Sequence, residues 1–141
     1  MSQNVSINLK TNHRSMEDGT EYQEDAVYNG IMQSQGSVIY ISYDSKSEDG
    51  GLVTKNIIKL DGGQLVRTSK GETDSKIIFS KGHTTKTNYV TPFGNFDMSF
   101  LTKHLKIEQS VNVIRINLEY IMSLNGLPHE EIEMMIKVIM K

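Results

Sequence analysis

The chain has 141 residues and no cysteine, which suits one domain spanning residues 1–141 that folds without disulfide bonds in a reducing compartment. No apolar run is long enough for a signal peptide at the start or for a membrane span, so we expect a cytoplasmic protein that does not bind membranes. The net charge of −2 is unevenly distributed: residues 1–50 carry eight acidic and three basic side chains, and residues 64–106 carry seven basic and three acidic ones. The basic middle of the chain can attract an anion or a phosphate backbone, and the alternative is a solvated surface of mixed charge whose halves balance each other.

Period-two alternation predicts strands along most of the chain. In chain order the strand-like segments are VSINLKT (5–11), SVIYISYD (37–44), GLVTKNIIKL (51–60), KIIFS (76–80), TKTNYV (85–90), NFDMSFLT (95–102) and NVIRINLEYIMSL (112–124). The last is the clearest, because apolar residues from Ile114 to Leu124 occupy one face and Arg115, Asn117 and Glu119 occupy the other. Such alternation is typical of strands with one buried and one solvated face.

Turn residues separate these segments at short intervals. They fall at 17–20, 47–51, 61–63, 70–72, 91–94 and 125–126, and most contain Asp-Gly or Asn-Gly. These dipeptides supply the positive φ angles that tight hairpins need, so the pattern predicts an all-β antiparallel meander. A sheet of about eight or more twisted strands tends to close, because closure removes its exposed edges. We therefore expect a β-barrel.

Periodicity alone leaves the closing segment open between helix and strand. In residues 130–141, a strand would bury Ile132, Met134 and Ile136, whereas a helix would bury Ile132, Met135 and Ile139. The Asn-Gly turn at 125–126, preceded by a clear strand, favours a strand.

Catalytic and metal-binding motifs are missing from the sequence. His13, His83, His104 and His129 are far apart, and no cysteine accompanies them, so we expect no metal and no cofactor. Thr91-Pro92-Phe93-Gly94 has the residue types of a β-turn, with proline second and glycine fourth, and is interpreted as structural. The chain also lacks a phosphate-binding loop and a nucleophile elbow, so we predict that it is not an enzyme.

Three cations are the candidate ligand-binding residues. If Leu65 faces the interior, strand parity places Arg67 there, and inward Ile77 and Phe79 do the same for Lys81 and His83. Cations at the mouth of a barrel would suit an anionic head group. The alternative is that these positions lie beyond the strand ends, in water.

A series of residues in the second half carries a family resemblance. It comprises Arg67, Gly71, Phe79, Gly82, Tyr89, Thr91-Pro92-Phe93-Gly94, Met98 and Thr102. The chain resembles the YwiB-like family of small bacterial proteins of unknown function over nearly its whole length. The resemblance implies a calycin-like, lipocalin-resembling antiparallel barrel in which the closing segment is a strand. By analogy of fold, it also implies a cavity for a small ligand.

The leading functional hypothesis is therefore non-enzymatic binding of a small amphipathic or anionic molecule in the barrel. The second is a protein–protein interaction module that uses an exposed sheet edge or the charged faces, and homo-oligomerisation stays open. RNA binding through the basic middle is weaker, because that region holds a single arginine and its aromatics are mostly predicted core.

Overall fold

The computed structural model describes residues 2–46 and 52–141, and ten strands account for most of them. The strands are β1 (Ser2–Ser15), β2 (Glu21–Gln35), β3 (Val38–Lys46), β4 (Val53–Asp61), β5 (Gln64–Lys70), β6 (Ser75–Ser80), β7 (Thr84–Thr91), β8 (Gly94–Gln109), β9 (Val113–Leu124) and β10 (Leu127–Met140). The prediction of an all-β chain is confirmed. No helix long and apolar enough to cross a membrane occurs within these residues.

All neighbouring strands are antiparallel and form one sheet in the order β6-β5-β4-β3-β2-β1-β10-β9-β8-β7. The first and last strands of the chain pair along their length, from Val5–Met140 to Ser15–Glu130. The sheet therefore curls into a nearly closed barrel, as predicted. The join between β6 and β7, the two edge strands, is the weakest. Within the described residues, it contains a single β-bridge, between Asp74 and Val90.

The inward faces of the strands form one apolar core. β1, β9 and β10 supply most of it, because their apolar residues alternate with polar ones as the sequence pattern predicts. Val5, Ile7, Ile116 and Val138 are each at most 1% exposed. The closing segment is strand β10, with Ile132, Met134, Ile136 and Val138 buried and Met135 exposed, so the helical alternative is excluded.

Turns occur where the sequence predicts them. Gly19, Gly62, Gly71, Gly94 and Gly126 all have positive φ angles, the conformation that these turns require. The Pro92-Phe93 turn joins β7 to β8 directly, and Thr91 pairs with Gly94 across it. The predicted turn at 47–51 lies outside the described residues.

A close approach of strands at Gly30 and a buried hydrogen-bond network at Asn56 fix the strands on two sides of the barrel. Gly30 lies in the middle of β2, where an added Cβ would collide with the carbonyl of Ser42 and lie 2.8 Å from Ile7 Cδ1. A side chain is therefore excluded where β2 passes closest to its neighbours. On the interior of β4 and β5, Ser69 Oγ donates to Asn56 Oδ1 at 2.8 Å, and Asn56 Nδ2 donates to Ser45 Oγ at 3.0 Å. These hydrogen bonds satisfy the buried amide of Asn56.

Candidate ligand site at the barrel mouth

The structure separates the three cations that sequence parity grouped together. Arg67 lies within β5, is partly buried and faces the interior, between inward Leu65 and Ser69. Lys81 and His83 are exposed in the turn between β6 and β7. Their predicted inward orientation is wrong, because β6 ends at Ser80 and strand parity has no meaning in the turn that follows.

Arg67 faces the interior because the register of its neighbours requires it. It pairs laterally with Ile58 of β4 and Ile77 of β6, and both isoleucines are buried. Side chains opposite each other in antiparallel strands lie on the same face of the sheet. Turning Arg67 outward would therefore shift the register and expose both isoleucines.

Four tyrosines from four different strands surround the guanidinium. They are Tyr28 of β2, Tyr43 of β3, Tyr89 of β7 and Tyr120 of β9, each close enough to interact electrostatically with Arg67. Tyr43 and Tyr120 are buried, and the rings of Tyr28 and Tyr43 stack with centroids 4.7 Å apart. The barrel thus places one fixed positive charge among aromatic walls.

The surroundings keep Arg67 charged. Burial lowers the pKa of Arg67, but the neighbouring phenols of Tyr43, Tyr120 and Tyr89 raise it by more, so the net pKa lies above its ordinary value. Burial raises the pKa of Tyr120 to about 12, while Arg67 opposes that rise. At neutral pH the centre is therefore a guanidinium cation beside the protonated phenols of Tyr28 and Tyr120.

Polar groups at this centre lack partners. None of the ion pairs within residues 2–46 and 52–141 includes Arg67. The buried hydroxyl of Tyr43 lies beside the guanidinium but forms no hydrogen bond of normal length and angle. Below them is a gap of about 10 Å³ lined by apolar residues such as Leu65, Phe79 and Leu118, barely the volume one water needs.

Above this centre the barrel opens into a larger space, here called the Arg67 pocket, with a volume of about 340 Å³. Its walls include His13, Glu24, Tyr28, Arg67, Tyr89 and Tyr120. Leu9 of β1 and Met134 of β10 contribute apolar surface beside the tyrosines. The volume lies within the usual range for small-molecule sites, which combine apolar walls with a few polar groups.

The carboxylates of Glu24 and Glu130, which both contact the ring of His13, form an acidic rim for this pocket. His13 Nδ1 lies 2.9 Å from Glu130 Oε2, its Nε2 lies 3.3 Å from Glu24 Oε1, and its ring stacks on Tyr22 at 4.3 Å. Because a neutral imidazole has one N–H, both contacts can be hydrogen bonds only when the ring is doubly protonated. Next to this rim, Glu131 binds both Arg14 and Lys103, which lower its pKa.

Two larger depressions lie on the outer surface. One, of about 400 Å³, runs along the strand ends beside His13, Arg14 and Glu131, and the other, of about 570 Å³, lies between Lys86, Asp97 and Asn125. Their charged side chains are solvated or paired within the protein, so neither holds an unpaired, partly buried charge like that of Arg67. The part of the chain that the structure describes contains no cluster of three or more His, Asp or Glu residues able to hold a metal ion.

Sequence reasoning found Arg67 but missed the groups around it. Strand parity does place Tyr43, Tyr89 and Tyr120 on inward faces, yet their strands are far apart in sequence. His13, Glu24 and Glu130 also come from three separate strands. Only the closure of the barrel and its exact register bring these groups to one end.

Comparison with known proteins supports this architecture. Residues 7–136 match the family described as Domain of unknown function (DUF1934). The crystal structure of the ywiB protein from Bacillus subtilis superposes with a TM-score of 0.87, at 19% identity, over 99% of this chain and 93% of that one. At this identity the likeness shows the fold. Among curated proteins, none matches this sequence. The predicted resemblance to a YwiB-like family is confirmed.

Proposed function

The chain belongs to the DUF1934 family of unknown function, and from the geometry at the mouth of its barrel we propose that it binds a small amphipathic molecule without catalysis. An anionic group of the ligand, a carboxylate or a phosphate, contacts Arg67. The apolar part lies against Tyr28, Tyr89 and Met134 in the Arg67 pocket. With no cysteine in the chain, we place this binding in the cytoplasm.

The single observation that carries the proposal is that the partly buried Arg67 has no carboxylate partner among residues 2–46 and 52–141. A charge removed from water costs several kcal/mol unless something compensates for it. Electrostatic interaction with the hydroxyls of Tyr43, Tyr89 and Tyr120 supplies part of that compensation, and the open pocket leaves room for an anion to supply the rest. Eight methionines in the chain, with Met134 in the pocket, offer adaptable apolar contacts.

Calorimetric titration with fatty acids and phosphorylated metabolites tests this function. We expect at least one class to bind the wild type at one site per chain, and Arg67→Met to abolish that binding. Lys81→Met is the matched control, since it removes one cation from the exposed turn outside the pocket. Equal loss in both variants, or unchanged binding in Arg67→Met, contradicts the proposal. Native mass spectrometry of protein purified from its own host would show whether a ligand is already bound.

A second candidate function is protein binding by strand addition, which the join between β6 and β7 favours. Two contacts join these strands directly within the described residues. One is the Asp74–Val90 bridge, and the other is a hydrogen bond that Thr85 Oγ1 donates to the Ile78 carbonyl. Unpaired backbone groups at a sheet edge are templates for another strand. Hydrogen exchange that slows in β6 on addition of a host lysate fraction would favour this candidate over the pocket.

A further inference from the structure

The charges of the Arg67 pocket are separated by depth. Arg67 also lines the small gap inside the barrel, so it marks the inner end of the pocket. Glu24 lies at the outer end, and its side chain is 65% exposed. Tyr28, which interacts with Arg67, follows Glu24 by four residues on β2, or about 13 Å of extended strand. The distance between the positive inner end at Arg67 and the negative outer end at Glu24 is therefore comparable to the length of a small molecule.

The outer end is negative in either protonation state of His13. Glu24 and Glu130 both contact the His13 ring, and a protonated imidazole neutralises one of these two carboxylates. A neutral ring neutralises neither. Of the other charged groups nearby, Arg14 and Lys103 are engaged by Glu131 on the neighbouring surface. An anion entering the pocket therefore passes a net negative rim before it reaches Arg67.

Neither a simple anion nor a simple cation matches this arrangement. A monoanion would pair with Arg67 but place its other end among carboxylates. A monocation would suit the rim and leave Arg67 unpaired. Leu9, Tyr28 and Tyr89 supply apolar and aromatic surface in the pocket, which Thr11 and Asp25 also line, so a matching molecule can carry an apolar segment between its charged ends.

We propose that the ligand class is a small zwitterion, with a carboxylate or phosphate that binds Arg67 and an ammonium that binds at the Glu24–Glu130 rim. This inference rests on the proposed function, because it assigns the ligand class of the same pocket. It also accounts for the separation of opposite charges that form no ion pair with each other across the pocket.

Three probes of one length distinguish the alternatives: ω-aminooctanoate is the zwitterion, octanoate the anion and octylamine the cation. In titrations at low salt we expect ω-aminooctanoate to bind at least about threefold more tightly than octanoate, the scale of one partly exposed charge pair. Octylamine should bind more weakly than either. Glu24→Gln should weaken ω-aminooctanoate binding and strengthen octanoate binding, reversing the preference or removing it.

Asp44→Asn is the matched control, because it neutralises an exposed carboxylate on the outer face of β3 and should leave the preference unchanged. Octanoate binding as tightly as ω-aminooctanoate, in an Arg67-dependent manner, would refute the zwitterion and leave the proposed function standing. If none of the three probes shows Arg67-dependent binding, and fatty acids and phosphorylated metabolites also fail to bind, both are refuted. Circular dichroism of each variant confirms that the barrel is folded.

Discussion

The guanidinium of Arg67 lies beside the hydroxyl of Tyr43 inside the barrel, and neither group has an acidic partner among the described residues. Both groups lose hydration when the chain folds, so their position costs stability unless something binds them. Binding sites commonly retain such costs because function requires them. The pair therefore links the stability of the barrel to the occupancy of its pocket.

Replacing Arg67 tests that link through the free energy of unfolding. We expect Arg67→Met to leave stability within about 1 kcal/mol of wild type or to raise it, because an apolar chain of similar length removes an unpaired charge. Its lateral neighbour provides the contrast. Ile58→Ala, at a position 1% exposed, should cost about 2–4 kcal/mol. Urea unfolding followed by circular dichroism measures both, and a loss in Arg67→Met as large as in Ile58→Ala would show a structural role.

The alkaline limit of the fold should depend on Tyr120. Burial raises its pKa from 10.0 to about 12, so the folded state favours the protonated phenol. The resulting stabilisation is complete below pH 10 and is lost as the pH rises towards 12, and its full size is on the order of 2 kcal/mol. Tyr28 shifts in the same direction, mainly through burial. Ultraviolet absorbance of tyrosinate should therefore include a late, cooperative step in which Tyr120 ionises as the barrel unfolds.

Tyr120→Phe is the variant that checks this assignment. It keeps the ring that packs 4.8 Å from Phe79 and removes the ionisable hydroxyl. Stability of the variant should fall less between pH 10 and pH 12 than that of the wild type. An identical loss in both proteins would place the alkaline transition elsewhere.

A buried hydrogen bond between β4 and β5 should be worth more than an exposed one. Ser69→Ala removes the donor 2.8 Å from Asn56 Oδ1, leaving a buried acceptor unsatisfied at a cost of about 1–3 kcal/mol. Ser42→Ala, at an exposed site on β3, should change stability by less than about 0.5 kcal/mol. Equal effects would mean that water replaces the Ser69 hydroxyl.

Sequence alone predicted the parts of this fold whose inward and outward residues differ clearly. β9 and β10 follow the alternation, and Asn-Gly defines their hairpin. β2 was missed because its inward positions include Gly30 and Ala26, while Val27 and Ile31 are apolar and exposed. The inward face, which also holds Tyr28 and Met32, is therefore no more apolar than the outward face at the centre of the strand, and pairing with β1 and β3 fixes its orientation.

The candidate site was predictable in one residue and not beyond it. Parity located Arg67 because it lies between two interior positions of a regular strand, and it failed for Lys81 and His83 because their turn breaks the period. The acidic rim and the tyrosines depend on register across the whole barrel. Sequence spacing carries no information about that register when the contributing strands are not neighbours along the chain.

Three glycines provide an ordered test of the turns. Gly94 follows the Pro92-Phe93 turn with φ +131°, and the space around it is open. Gly71 has φ +142°, and an added Cβ would also collide with the carbonyl of Val53 and lie 2.8 Å from Thr54 Cα. Gly63 has an ordinary φ and open surroundings. Strain and steric exclusion thus act together at Gly71, strain acts alone at Gly94, and neither acts at Gly63.

Alanine at each position should therefore destabilise in the order Gly71, Gly94, Gly63. We expect about 2 kcal/mol or more for Gly71→Ala and about 1 kcal/mol for Gly94→Ala, since a left-handed backbone strains any residue with a Cβ. Gly63→Ala should be neutral or slightly stabilising, because alanine restricts the unfolded chain. Urea midpoints with an unchanged slope measure the series. Gly94→Ala as stable as Gly63→Ala would mean that the Thr91–Gly94 turn relaxes without cost, and the structural interpretation of that motif would be wrong.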